Sequence, residues 1–289
     1  MSTMRDKDEI SGTETTGHEW DGIRELDTPL PRWWLWTFYA TIVWAFGYMV
    51  VMPAVPLIDS HTQGVLGYSS RAVVAERMAE AAQEQQVYLD RIADASLQQI
   101  ADDPELSAFA QAGGRSAFLV NCSQCHGTGA AGAKGYPNLN DDDWLWGGTL
   151  DEIYTTLRVG IRSEHPDTRS NIMAAFLKDG LLTAAQVQDV AAYVHALSHP
   201  GEASEAVARG EVVFAEQCVA CHQQGGVGSR ELGAPNLADS VWLYGGSQAQ
   251  IAESVANGRA SVMPTWEARL SPATLKMLAV FVHDLGGGE

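Results

Sequence analysis

The sequence is poor in basic residues and in the motifs of common enzyme classes. Its 289 residues include 18 lysines and arginines against 36 aspartates and glutamates, a formal net charge of −18. This balance disfavours nucleic-acid binding, because contacts with phosphates need basic patches. A P-loop, a dinucleotide-binding fingerprint, a Ser/His/Asp arrangement and a zinc-protease motif are also missing. Strand-rich stretches are missing too, so the sequence predicts an all-α fold.

Cysteine is scarce, and all four cysteines fall into one repeated pattern. NCSQCHGTG begins at Asn121 and QCVACHQQG begins at Gln217. A Cys-x-x-Cys pair can form a redox disulfide, bind zinc, bind an iron–sulfur cluster or attach haem. The two pairs are too far apart for a zinc ribbon, whose knuckles are about 15–20 residues apart. The histidine after each pair favours haem, because C-x-x-C-H is the attachment signature of c-type haem.

The spacing within each motif suits a haem attached to a short helix. Residues i, i+3 and i+4 of a helix lie on one face. Both cysteines can therefore form thioethers with the haem vinyl groups, while the histidine binds the iron from the same side. The sequence predicts two covalently bound haem c groups, with these residues in order along the chain: Cys122, Cys125 and His126, then Cys218, Cys221 and His222.

The two motifs belong to a repeat that continues on both sides of them. GRSAFLVNCSQCH, which begins at Gly114, aligns with GEVVFAEQCVACH, which begins at Gly210. Further along, PNL aligns with PNL, WLWGG with WLYGG, and AAYVHAL with AVFVHDL. The chain therefore contains two related haem modules of roughly 80–90 residues each, a size within the range of small domains.

Each module also contains a methionine at a position suited to the sixth iron ligand. Met173 lies in SNIMAAF and Met263 in SVMPTW. Methionine with histidine is a common ligand pair in cytochromes c, and the thioether raises the reduction potential. The alternative role is a methionine that fills a gap in the core. We expect each methionine to bind the iron of its own module; Pro264 fixes the loop after Met263, whereas Ala174 follows Met173.

Three other histidines are rival iron ligands. His165 lies in RSEHPDTRS, a stretch that the second module lacks. His195 and His283 occupy equivalent positions in the repeat, in segments whose 3.6-residue periodicity indicates amphipathic helices and a packing role.

Two further positions of the repeat could support the haems. The carbonyl of Pro137 or Pro235 could accept a hydrogen bond from the proximal imidazole and fix its tautomer. Trp144 and Trp242 could each lie at a haem edge and donate to a propionate, or could belong to the core.

One uncharged run, residues 33–58, is long enough to cross a membrane. Residues 33–52 alone would form a helix of about 30 Å, the thickness of a bilayer core. Pro53 and Pro56 mark its end, and tryptophans beside Arg32 suit the membrane interface. We interpret the run as an uncleaved anchor, since the stretch before it is too long for a signal peptide.

The position of the haem motifs predicts the orientation of the chain. Bacteria attach haem c outside the cytoplasmic membrane, so residues 59–289 are expected in the periplasm and the N-terminus in the cytoplasm. The first 20 residues are polar and are predicted to be disordered. The predicted order is a cytoplasmic N-terminal segment, a transmembrane helix, a helical spacer and two tandem cytochrome c domains: 1–32, 33–58, 59–107, 108–200 and 201–289.

Taken together, these features resemble the diheme cytochrome c subunit III of cbb3-type cytochrome c oxidases, called CcoP or FixP. The stretch HEWDGIRELDTPLPRWWLWTFYATIVWAFGYMVVMPAVPL is similar to that family's N-terminal segment and anchor and is the most specific part. The resemblance implies a complex with a haem–copper catalytic subunit and a monohaem cytochrome subunit. It also implies electron flow from a soluble periplasmic cytochrome c through two haems toward oxygen reduction elsewhere. The family's proximal ligands correspond to His126 and His222, and its distal methionines to Met173 and Met263.

The resemblance implies an electron-transfer subunit rather than the oxygen-reducing one, because a six-coordinate iron has no position open for a substrate. The acidic excess would also steer a basic electron donor. Three other functions remain open from the residues alone. They are an anchored diheme carrier for another respiratory enzyme, a diheme peroxidase with one iron able to open, and a gas sensor.

Overall fold

The computed structural model describes residues 6–199, 201 and 203–289. The chain divides into two compact units, Met1–Gln83 and Glu84–Glu289. Helices dominate both units, and the one sheet in the described part of the chain has two strands. This agrees with the predicted all-α class. Each unit is described separately below.

The first unit begins with a β-hairpin. Strands β1 (Thr15–Trp20) and β2 (Ile23–Leu26) pair in antiparallel register, with Trp20 opposite Ile23. The turn consists of Asp21 and Gly22, with φ values of 50° and 85°. Asp-Gly is a typical sequence for a two-residue hairpin turn, because both positions need positive φ. The prediction of disorder over the first 20 residues is therefore wrong for residues 15–20, and residues 1–5 lie outside the described part.

Helix α1 (Arg32–Val51) follows the hairpin and is long and apolar enough to span a membrane. Its 20 residues correspond to about 30 Å. None of its residues is buried, and large apolar groups such as Trp36 and Val43 are more than 70% exposed. In water such a surface would be unfavourable, whereas lipid would cover it. The helix ends at Val51, shortly before Pro53, where the missing amide hydrogen interrupts helical hydrogen bonding.

The spacer contains two helices, α2 (Ser70–Asp94) and α3 (Leu97–Asp102). Ser96 caps α3 in a capping box with Gln99, which satisfies two amide groups that a helix start otherwise leaves unpaired. The remaining helices of the second unit are listed in chain order: α4 (Pro104–Asn121), α5 (Ser123–His126), α6 (Leu150–Val159), α7 (Ala184–Ser198), α8 (Glu205–Gln217), α9 (Val219–His222), α10 (Gln248–Asn257) and α11 (Pro272–His283).

A first core forms where α4 and α6 pack against α11, the last helix of the chain. The rings of Phe118 on α4 and Phe281 on α11 lie 5.5 Å apart. Gly114 allows the close approach of these helices, because a Cβ there would lie 2.3 Å from the backbone oxygen of Met277. Apolar side chains buried in this core, each less than 8% exposed, include Ile92, Leu97, Ile100, Leu106, Phe118, Ile153, Leu157, Trp266, Leu275, Met277, Leu278 and Val282.

A second core forms where α7 packs against α8 and α10. The contacts repeat those of the first core. Phe214 on α8 meets Tyr193 on α7 at 5.2 Å between ring centroids, and a Cβ on Gly210 would lie 2.0 Å from the backbone oxygen of Asp189. The main buried apolar residues are again listed together: Leu182, Val187, Val190, Val194, Val213, Phe214, Ile251 and Val255.

The terminal helices of the two sequence modules have therefore changed places. Helix α7 ends the first module in sequence but packs in the second core, and α11 ends the second module but packs in the first. The domain boundary predicted at residue 200, which lies outside the described residues, separates the two sequence modules. Helices α7 and α8, which lie on either side of that boundary, nevertheless pack together in one core. In effect, residues from about 171 to 257 form the second core, inserted between α6 and α11 of the first.

Candidate haem-binding sites

Each Cys-x-x-Cys-His motif lies on a short helix that follows a long one. Helix α4 ends at Asn121, and Cys122 continues into α5 with the amides of Cys125 and His126 donating to its carbonyl at 3.1 and 3.0 Å. In the second motif the same bonds to Cys218 measure 3.1 and 2.9 Å. The one-turn helix places both cysteines and the histidine on one side, as the spacing predicted.

The histidines of the two motifs are oriented by proline carbonyls. The Nδ1 atom of His126 lies 3.1 Å from the carbonyl oxygen of Pro137, and Nδ1 of His222 lies 3.1 Å from that of Pro235. A carbonyl only accepts, so each Nδ1 carries the hydrogen and each Nε2 keeps a lone pair for a metal. Burial lowers the pKa of both imidazoles, and the bond to the proline carbonyl opposes that shift. Neutral imidazole is the form that binds iron.

The first cysteine of each motif is protected from ionisation. Burial raises the pKa of the Cys122 and Cys218 thiols to about 11, and the charge of the neighbouring Cys125 or Cys221 adds to the effect. A redox Cys-x-x-Cys pair depends instead on an attacking thiolate of low pKa. The buried first thiols therefore disfavour the redox alternative.

The methionines lie in the opposite cores from those expected by chain order. Met263 packs against the first core, in the same cluster as Cys122. Met173 packs against the second core, together with Cys218. The packing therefore places each methionine in the core that contains the first cysteine of the other module's motif, the reverse of the arrangement expected from chain order. The reason is the exchange of α7 and α11, because each methionine precedes the helix that has changed cores.

Short backbone bridges hold the methionines in these positions. Met263 exchanges two hydrogen bonds of 2.9 Å with Ile161, which follows α6 of the first core. Met173 exchanges two bonds of 3.0 Å with Arg259, which follows α10 of the second core. Each methionine segment is thus attached to the end of a helix of the core in which the methionine packs.

Gly160 is expected to be essential for the position of Met263. Its φ is +68°, and a Cβ there would lie 2.5 Å from the backbone oxygen of Met263. We predict that Gly160→Ala lowers the free energy of unfolding by about 2–4 kcal/mol, the sum of backbone strain and displacement of the methionine segment. Gly180→Ala is the matched control, because Gly180 has φ +70° with open space around it. The Gly180→Ala substitution should lower the free energy of unfolding by about 1 kcal/mol. Equal losses of stability for the two variants in denaturant titrations would contradict the prediction.

The rival histidines have other partners. Nε2 of His165 lies 2.8 Å from Glu267, and its Nδ1 accepts from the amide of Asp167. The ring of His195 stacks on that of His199 with centroids 4.1 Å apart. His283 lies beside the C-terminal carbonyl of Glu289, 3.1 Å from Nε2. These contacts agree with packing and surface roles.

The tryptophans of the repeat take part in both core packing and hydrogen bonding. Trp144 packs against the first core and its indole N–H donates to the carbonyl of Gly287, while Trp242 packs against the second core. The structure also shows an arginine pair that the sequence reading missed. The guanidinium carbon of Arg169 lies 5.0 Å from the Trp146 ring, and that of Arg259 lies 3.9 Å from the Tyr244 ring. The sequence contains a signal for this pair, since each arginine precedes a methionine by four positions.

The fold and the two motif helices define a membrane-anchored type of cytochrome c with two cytochrome c domains. Comparison with family models agrees. Residues 12–59 match the N-terminal domain of cytochrome oxidase-cbb3, FixP; residues 111–198 match cytochrome c; and residues 205–282 match cytochrome c oxidase, cbb3-type, subunit III.

Full-length relatives are similarly named. The chain is 54% identical over 290 residues to the cbb3-type cytochrome c oxidase subunit FixP of Bradyrhizobium sp. (strain ORS 278), with 100% of both chains covered. It is 48% identical over 293 residues to the subunit CcoP of Azospirillum brasilense, with 99% of both covered. The chain belongs to the FixP/CcoP family of cbb3-type cytochrome c oxidase subunits. Cytochrome c domains imply covalently bound haem c, and the N-terminal apolar helix fits a transmembrane anchor.

Proposed function

We propose that the protein carries two haem c groups and transfers electrons through them to the catalytic subunits of a cbb3-type oxidase. The residues present fit this cofactor. The first haem would be held by thioethers to Cys122 and Cys125, and the second by thioethers to Cys218 and Cys221. The placement of the methionines supports an arrangement in which His126 and Met263 would bind the iron of the first haem, and His222 and Met173 that of the second.

When bound, haem iron supplies a reversible one-electron couple. The chain's own residues set the conditions for it. Pro137 and Pro235 keep each imidazole in one tautomer and one orientation. The backbone bridges at Ile161 and Arg259 restrain the methionines. Ligands held in this way move little between redox states, which suits electron transfer rather than substrate chemistry.

A half-buried arginine, Arg169, supports the binding of a haem propionate. Nε of Arg169 is buried and lacks a hydrogen-bond partner in the described part of the chain. Burial lowers the pKa of Arg169, with the nearby charge of Glu152 opposing the shift. A buried guanidinium donor without a partner is costly unless an anion pairs with it. A propionate would supply that anion.

The proposed donor is a soluble periplasmic cytochrome c. The net charge of −18 supports steering of a basic partner, and we expect such an encounter to slow as salt increases. The proposed partners in the complex are the haem–copper catalytic subunit and the monohaem cytochrome subunit. In this assignment α1 crosses the bacterial inner membrane once, the N-terminus is cytoplasmic and the haem domains are periplasmic.

Isolation of the native complex tests the assignment to an oxidase. Affinity purification from membranes through a tag on this chain should recover a haem–copper subunit and a monohaem cytochrome, identified by mass spectrometry. Recovery of a different respiratory enzyme in their place would assign the protein as an anchored diheme carrier for that enzyme. A tagged chain lacking residues 1–58 controls for capture through the soluble region alone.

The number of haems can be read from the intact mass. We predict that the parent protein carries the mass of two haems and that the double substitution Cys218→Ala with Cys221→Ala removes one of them. The first haem should remain, because its thioethers come from Cys122 and Cys125. The matched variant lacks those two cysteines and should retain the second haem. Retention of both haems by either variant would refute the attachment sites.

A further inference from the structure

The two cores are joined by two chain segments, and each segment carries one of the methionines. We call residues 161–173 the first connection and residues 258–263 the second connection. The first begins beside the first core at Ile161 and reaches the second core at Met173. The second runs the opposite way, from Arg259 to Met263. The two ligand segments therefore lie side by side between the cores.

Arg162 donates hydrogen bonds to both connections. Its Nε lies 2.5 Å from the carbonyl oxygen of Ser261, and its Nη1 lies 2.5 Å from that of Asn171. Ser261 precedes Met263 by two residues, and Asn171 precedes Met173 by two residues. One planar guanidinium thus holds equivalent points of the two methionine segments. Arginine suits this task because its donors form a rigid fork.

The backbone of Arg162 is strained to make this contact. Its φ is +50°, in the left-handed region that side chains other than glycine, asparagine and aspartate rarely adopt. Such strain costs of order 1–3 kcal/mol and persists where the surroundings enforce it, often at functional positions. Arg162 also begins the RSEHPDTRS stretch, which has no counterpart in the second module. The amide of Arg162 donates to the carbonyl of Arg169 at 2.7 Å, so the extra stretch forms a loop closed at its base.

We propose that Arg162 is a positioning residue for both axial methionines and that it couples the two iron sites. This inference rests on the proposed methionine ligation. Because one side chain holds both segments, loss of that side chain weakens both methionine–iron bonds together. Loss of either methionine, by contrast, opens one iron only.

The test uses the full-length haem-containing chain in detergent, with carbon monoxide as the probe of the reduced protein. Six-coordinate irons exclude carbon monoxide, so the parent should bind almost none. In Arg162→Gly and Arg162→Gln we expect the bound fraction at both haems to rise about tenfold or more, as the loss of a hydrogen bond to a charged group implies. Arg162→Gly also relieves the strained backbone and should fold without difficulty. Arg209→Gln is the matched control, since Arg209 pairs with Asp189 on α7 and should leave both irons closed.

The reference variants separate this inference from the ligation on which it depends. Met173→Ala and Met263→Ala should each admit one carbon monoxide; if neither does, the proposed ligation fails. If both do, and Arg162→Gly opens one iron or none, the role of Arg162 is refuted while the ligation stands. Failure of Arg162→Gly to acquire two haems would also refute it, because the proposal gives Arg162 no part in the folding of either core.

Discussion

Ending the chain at Leu270 will unfold the first core and leave the second core folded. This truncation removes α11 but retains Met263, so it separates packing from ligation. Helix α11 contributes Leu275, Leu278 and Val282 to the first core, each less than 5% exposed. Burial of one such side chain contributes about 1.5–3 kcal/mol. The stabilisation lost with the whole helix therefore approaches or exceeds the roughly 5–15 kcal/mol by which a domain is stable.

Limited proteolysis followed by mass spectrometry provides the measurement. Peptides from α4 and α6 should become susceptible to cleavage, while those from α7, α8 and α10 stay protected. Two point variants, one on each of the helices that have changed places, serve as matched controls. Leu278→Ala should destabilise the first core and Val190→Ala the second, each by about 2–5 kcal/mol or somewhat less for valine. If the truncation exposes α8 and α10 instead, the terminal helices pack within their own sequence modules.

Replacing Met263 with histidine will lower the potential of the haem attached to Cys122 and Cys125. A soft thioether favours ferrous iron, whereas a second imidazole favours the ferric state. The fall should be on the order of 0.1–0.3 V, a part of the roughly 0.8 V range that axial ligands span. Both ligands are strong enough to keep the iron low-spin. Redox titration followed by visible absorbance measures the shift.

The assignment of that shift to one haem needs a protein with a single haem. In the background of Cys218→Ala with Cys221→Ala, only the first haem remains. Met263→His should shift its potential there, and Met173→His should leave it unchanged. Ligation within each sequence module predicts the opposite result. An unchanged potential in both variants would show that neither methionine binds that iron.

Much of the candidate site could be predicted from the sequence because its chemistry depends on short spacing. The two Cys-x-x-Cys-His motifs each occupy one helical turn, so neighbours in sequence are neighbours in space. The proline carbonyls at Pro137 and Pro235 lie within fifteen residues of the histidines that they orient. The anchor helix was predictable for a related reason, since twenty uncharged residues suffice to cross a bilayer.

The hairpin shows how a local signal was overlooked. Asp21 and Gly22 form a turn whose two positive φ values suit few other residue pairs. The polar composition of the first 20 residues indicated disorder, but composition averages over a segment and does not register a single turn. The strands themselves are largely exposed, so no hydrophobic periodicity indicated strands in place of disorder.

The sequence by itself determined the attachment chemistry and the anchor, because each depends on residues close together in the chain, and it determined the repeat because two of its segments align. Which methionine packs in the same core as which pair of cysteines was decided only in the tertiary structure. The two modules have nearly equivalent helices, so α7 and α11 can each complete either core with similar contacts between aromatic rings and close approaches at Gly114 and Gly210. A repeat read along the chain therefore cannot distinguish the two arrangements.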